Sequence, residues 1–145
     1  MSDAQTTIQF ELVSPEEKLV SEPVKMAVIP GEEGEFGVLA GHASLVASLR
    51  PGVVELYAEG EDADAPPRKI FIAGGFADVT AEACTVLAEE AVNVNDIDQA
   101  AVEQQIANLN EDLGLAEEAA DKARIERRLD LAKARLQAVS GQLVI

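Results

Sequence analysis

The chain has 145 residues, enough for one domain or a domain with an appendage, with 48% apolar, 26% charged and only 3% aromatic residues. That is globular composition with an aliphatic core of Val, Leu, Ile and Ala. Eleven Lys plus Arg against 27 Asp plus Glu give a net charge of −16, which argues against nucleic acid, disfavours anionic lipid and fits a basic protein partner.

The N-terminal MSDAQTTIQFEL has neither the basic and apolar regions of a signal peptide nor the Arg-rich pattern of a transit peptide. No apolar run approaches the roughly 18 residues that span a bilayer. From residue 7 the sequence alternates with period two. Ile8, Phe10 and Leu12 interleave with Thr7, Gln9 and Glu11, and Val24, Met26 and Val28 alternate in VKMAVIP. GVVELY (52–57), RKIFIAG (68–74), FADVT (76–80) and ACTVLAE (83–89) are further β-rich runs. Turn signals at Ser14-Pro15, Pro30-Gly31, Pro51-Gly52, Gly60, Pro66-Pro67 and Gly74-Gly75 separate them. Short, closely spaced strands predict an antiparallel sandwich or flattened barrel, with EDADAPP (61–67) as an exposed acidic hairpin loop.

After Asn93 the period becomes helical. Asn95 or Asp96 is expected to cap a helix, with Asp98 in its first turn. Val102, Ile106, Leu109 and Leu113 form its apolar stripe, and Gly114 is the expected break. A second stripe, Ile125, Leu129, Ala132, Leu136 and Val139, ends at Ser140-Gly141. The fold class is therefore α+β: an N-terminal β-sandwich domain, 1–90, then an antiparallel helical hairpin, 91–145. Residues 89–121 carry ten acids and no base, whereas 122–145 carry six bases and two acids. The alanine-rich helices bury little apolar area, so the pair is expected to be weakly anchored.

Each candidate site has a plain structural reading beside it. PGEEGEFGVLAGH (30–42) is glycine-rich, but Glu32, Glu33 and Glu35 have the wrong sign for a phosphate cradle and no helix follows. Its glycines serve turns and close strand approach, and its acids with Phe36 form a tip suited to basic groups. His42, the sole histidine, has Ser44 two residues away and no orienting carboxylate in the pattern, so a structural hydrogen bond is expected rather than catalysis. With one His and one Cys, a zinc site from this chain alone is nearly excluded. Cys84, within ACTVLA, reads as a buried small hydrophobe in a chain without an internal disulfide. AGGF (73–76) is expected to be a tight turn, since it lacks the helix of a dinucleotide fingerprint. KARIERRLDLAKAR (122–135) is basic, with internal pairing to the acidic helix preferred over RNA or lipid.

With these blocks in order, the chain resembles the epsilon subunit of bacterial F-type ATP synthases over nearly its whole length. FELVSPE (10–16) is similar to that family's opening strand. GEEGEFGVLAGHASLVASLRPGVV (31–54) is similar to its most recognisable stretch, and FIAGGFADVTAEACTVLAEEAV (71–92) to the segment closing its β-domain. The resemblance implies a ten-stranded flattened β-sandwich or barrel followed by two helices, in a non-catalytic rotor subunit that couples c-ring rotation to the catalytic head. It implies that the β-domain binds the gamma subunit and the c-subunit ring, with Glu33, Glu35 and Phe36 near the c-ring loops and His42 close by. It implies a regulatory hairpin that inhibits ATP hydrolysis when extended. Arg124, Arg127, Arg128, Lys133 and Arg135 would then meet the catalytic alpha and beta subunits.

Some members bind ATP through an Ile/Leu-Asp-x-x-Arg-Ala motif. Ile97 and Asp98 match it here, but Ala101 stands at the arginine and Val102 at the alanine. Arg135 corresponds to one second-helix arginine, and Leu131 stands where another is expected. Weak or no ATP binding follows, and no cofactor is expected. The resemblance places the protein at the cytoplasmic face of the bacterial inner membrane, held there only through the complex. The alternatives are a free-standing β-sandwich interaction adaptor and a small hydrolase built on His42 and a carboxylate.

Overall fold

The computed structural model describes residues 6–59 and 65–141. Two compact units divide the chain, Met1–Val92 and Asn93–Ile145. Of the expected acidic loop at 61–67, residues 61–64 lie outside the described residues.

The first unit contains β1 (Ile8–Val13), β2 (Lys18–Val24), β3 (Met26–Gly31), β4 (Gly34–Leu39), β5 (Leu45–Leu49), β6 (Gly52–Tyr57), β7 (Arg68–Ile72), β8 (Gly75–Val79), β9 (Ala83–Ala88) and β10 (Ala91–Asn93). They form one ten-stranded sheet in the order β10-β7-β6-β3-β5-β8-β9-β1-β2, with β4 also paired to β3. The pairs are antiparallel where described, except that β1 runs parallel to β9. β3 and β5 meet at a single rung, Gly31 opposite Leu49. At that rung the sheet curls into two halves whose inner faces share one core.

Period-two alternation places the core. Ile8, Phe10 and Leu12 of β1 are fully buried, as expected, and pack with Ile29, Val38, Val54, Ile72, Val79 and Val86. Burying each such side chain stabilises by about 1.5–3 kcal/mol. The alternation read through VKMAVIP does not hold. Val24 is buried, but Met26 and Val28 are only half-buried, and Ala27 and Ile29 point inward instead. A bend at Lys25 separates β2 from β3 and shifts the phase by one residue.

Gly74-Gly75 is not a hairpin turn, because β7 and β8 do not pair. The backbone there passes from one half of the sheet to the other. Both glycines have positive φ, 107° and 146°, and the corner is tied by Ala73 N–H to Glu90 O at 2.9 Å and Glu89 N–H to Gly74 O at 3.2 Å.

The second unit opens with a 3-10 turn at Val94–Asp96, followed by α1 (Gln99–Leu115) and α2 (Ala119–Ser140). The cap of α1 is Asp98, whose carboxylate accepts from Ala101 N–H at 3.2 Å. The expected caps, Asn95 and Asp96, lie in the preceding turn; the three short polar residues have equal local propensity, and only the backbone geometry selects Asp98. Leu109, Ile125, Leu129 and Ala132 form the seam of the hairpin, with Ile106, Leu113 and Ala116 packed on it. α2 ends as expected, with Gly141 left-handed at φ 72° and its N–H on Gln137 O at 2.9 Å.

Gly114 does not break α1, which runs on to Leu115. A Cβ at Gly114 would meet nothing within 4 Å. Gly114→Ala is therefore expected to stabilise the hairpin by about 0.5–1 kcal/mol. Helicity by circular dichroism against urea checks this; an unchanged or lower midpoint would contradict it.

Candidate docking surfaces

PGEEGEFG forms a β-hairpin rather than a loop. β3 runs through Gly31, Glu32 and Glu33 turn, and β4 starts at Gly34 with φ 137°. Register pairs Ile29 with Phe36 and Pro30 with Glu35. Phe36 is thus partly buried against the core instead of standing free at a tip. Glu32 and Glu33 are exposed at the turn. Glu35 is exposed on β4 and faces Arg50, with 3.6 Å between Oε1 and Nη2. An exposed pair of this kind contributes about 0–1 kcal/mol, so it biases the carboxylate's position more than it stabilises the fold.

His42 lies just past β4, half-buried, and its Nδ1–H donates to Ala43 O at 2.6 Å. A ring nitrogen so engaged with the adjacent backbone fits the structural role expected of it. Glu33, Glu35, Phe36 and His42 all lie in the same β-unit. Cys84 is fully buried on β9. Burial, helped by nearby Asp78, pushes its thiol up to about 12. A thiol that stays protonated is a poor nucleophile. Alkylation at pH 8 is expected to proceed only after unfolding; rapid labelling of the native protein would contradict this.

A second surface was not visible in the sequence. On the outer face of the β5-β8-β9-β1 half, Ser48 stands opposite Phe76, Phe76 opposite Leu87, and Leu87 opposite Val13. Phe76 is 56% exposed, Leu87 51% and Val46, on the same face of β5, 74%. Phe76 and Leu87 share an open apolar groove with Val13 and Pro15. Beside it a second row starts at the apolar Val46 and continues polar: Val46 opposite Asp78, Asp78 opposite Thr85, Thr85 opposite Glu11. Lys18 Nζ lies 3.0 Å from Glu11 and holds that carboxyl below its ordinary range. An apolar centre with a polar margin is the anatomy of a protein interface. The signal for it lay in FADV: once Ala77 and Val79 point inward, Phe76 must share the outer face with Asp78.

On the hairpin, Arg124, Arg127 and Arg128 are exposed, while Lys133 and Arg135 are half-buried. Arg124 pairs within its own helix, 3.3 Å from Asp121. Of the degenerate ATP motif, Ile97 closes the 3-10 turn by donating its N–H to Val94 O at 3.1 Å, and Asp98 is engaged as the α1 cap. Among the described residues, no helix is long and apolar enough to cross a membrane.

Fold and surfaces define a class: a curled β-sandwich with outward-facing candidate docking surfaces, followed by a helical hairpin. Residues 7–94 match the family described as ATP synthase, Delta/Epsilon chain, beta-sandwich domain, and residues 98–144 match the family of C-terminal domains of the ATP synthase epsilon chain. The ATP synthase epsilon chain of Rhodospirillum centenum is 46% identical over 138 residues, covering 93% of each of the two sequences. That of Rhodospirillum rubrum is 44% identical over 138 residues, covering 95% of this protein and 99% of the other. A subunit in the OSCP/F1/c-ring structure of Euglena gracilis mitochondrial ATP synthase superimposes with a TM-score of 0.78 at 28% identity, covering 92% of this protein and 82% of that one. The protein belongs to the ATP synthase epsilon chain family.

Proposed function

We propose that this protein is a non-catalytic subunit of the central rotor of a bacterial F-type ATP synthase, seated at the cytoplasmic face of the membrane and held there through the complex. The β-domain binds gamma through the outer face that carries Val46, Phe76 and Leu87. The β3–β4 hairpin, with Glu33, Glu35, Phe36 and nearby His42, meets the basic side of the c-ring. The observation that carries this reading is the apolar patch on a β-domain of this family, bordered by polar residues and chemically distinct from the acidic hairpin. Two chemically different surfaces suit one subunit that touches two partners. A closely packed β-sandwich between them transmits torque with little deformation.

The helical hairpin, α1 and α2, regulates. Its exposed arginines, Arg127 and Arg128, dock on acidic surfaces of the alpha and beta subunits and slow ATP hydrolysis. ATP itself binds weakly or not at all, because Ala101 brings no charge to the phosphates. Full-length protein with Arg127→Glu and Arg128→Glu, added to synthase stripped of it, is expected to restore proton pumping while hydrolysis rises above the wild-type level. Hydrolysis equal to wild type would remove the regulatory role and leave the coupling role standing. A submillimolar dissociation constant for ATP would overturn the nucleotide statement.

A further inference from the structure

β5 has one fully used edge and one open edge. Towards β8 it is paired along its whole length, Leu45 through Leu49. Towards β3 it has one rung. That rung sets the direction of every backbone group on β5. Ser48 O accepts from Glu32 N–H at 3.0 Å, and Arg50 N–H donates to Pro30 O at 3.0 Å. Successive residues of a strand point their N–H and C=O groups to alternate sides. The amide and carbonyl of Val46 and the amide of Ser48 therefore face away from β8, towards the β3–β4 hairpin.

A groove of about 390 Å³ lies there, lined by Gly31, Gly34, Phe36, Leu45, Val46 and Ser48, with Glu32 and Glu33 also on it. Open strand edges normally carry a guard, such as a lysine, a proline or a bulge. β5 reads LVASL and has none of these. Strand addition needs such an edge beside pockets for alternate side chains. The acids at the groove select a basic segment. Val46 belongs both to this edge and to the outer apolar face assigned to gamma, so the two surfaces are continuous.

We propose that the open edge of β5 takes up an extended, lysine- or arginine-bearing segment of the gamma subunit as an additional strand. The segment bonds to the Val46 amide and carbonyl and sets its basic side chain against Glu32, leaving Glu33 and Glu35 to the c-ring. This rests on the rotor-subunit reading above, since gamma is the partner that reading supplies.

The test is hydrogen exchange of the full-length protein, free and reassembled with stripped ATP synthase, over a peptide spanning 44–49. Leu45, Ala47 and Leu49 face β8 and are slow in both states. Two further amides, those of Val46 and Ser48, become slow on assembly. Val46→Pro removes one donor without touching the β5–β8 ladder, and weakens reassembly about tenfold. Val46→Thr, which keeps the amide, reassembles more tightly than Val46→Pro. If the protein reassembles and restores pumping while the exchange of 44–49 is unchanged, strand addition is wrong and the rotor reading survives. If the protein does not reassemble at all, both fail. If the same two amides become protected in the free protein as its concentration rises, the edge pairs with a second copy, and gamma is the wrong occupant.

Discussion

Phe10→Ala is expected to lower the unfolding free energy of the protein by about 3–5 kcal/mol. Phe10 is fully buried on β1, flanked on its own strand by Ile8 and Leu12, and stands opposite Cys84 on the parallel strand β9. Few other side chains in this largely aliphatic core are large enough to fill the space it leaves. Domains are stable by only about 5–15 kcal/mol, so the loss is a large share of the total. Phe76→Ala is the contrast. Phe76 is 56% exposed, so its truncation is expected to cost less than about 1 kcal/mol yet weaken assembly with gamma. Urea unfolding of the two variants decides the point. Equal losses would mean that Phe76 is structural and that the outer face is not a docking surface.

Gly75→Ala is expected to destabilise by on the order of 3 kcal/mol, combining positive-φ strain with disturbed ladder hydrogen bonds. Gly75 has φ 146°, and a Cβ there would lie 2.0 Å from Leu87 O and 3.0 Å from Ala88 Cα. Both are backbone atoms of β9, so no side-chain rotation relieves the clash. β8 must shift against β9, or the corner at Gly74-Gly75 must open. Gly34→Ala separates the two causes. Gly34 has φ 137° but nothing within 4 Å of its Cβ position, so it meets the strain without the clash and is expected to cost less. Thermal unfolding of both variants checks the order; Gly34→Ala costing as much as Gly75→Ala would show that strain alone governs.

These positions also show what the sequence discloses. β1 was legible because one face is buried and the other wet, and the alternation states this directly. VKMAVIP misleads because periodicity carries no sign of a phase shift: the bend at Lys25 turns Ala27 and Ile29 inward after Val24. Gly74-Gly75 announces a turn, and a turn is local. Which strands lie on either side of it is a long-range matter that turn chemistry does not encode, so a crossover corner looks like a hairpin. The α1 cap was ambiguous for the related reason that Asn95, Asp96 and Asp98 are equally able to accept a backbone N–H.

The candidate surfaces divide in the same way. The acidic hairpin was visible as composition, but its register was not, and register sets Phe36 opposite Ile29, half-buried, while the turn leaves Glu33 exposed. The outer patch of Val46, Phe76 and Leu87 depends on three strands lying side by side, β5, β8 and β9, the first of them distant in sequence from the other two. FADV shows Phe76 turned outward, but no short window contains the whole patch. The helical seam was legible because spacings of three and four residues are local.

Vesicles holding ATP synthase stripped of this subunit provide the most direct measurement: ATP-driven proton pumping and ATP hydrolysis are recorded together, before and after the full-length protein is added. A coupling rotor subunit restores pumping per ATP hydrolysed. If the added protein binds but pumping per ATP stays at the stripped level, it does not couple the rotor to the head, and the central claim is wrong.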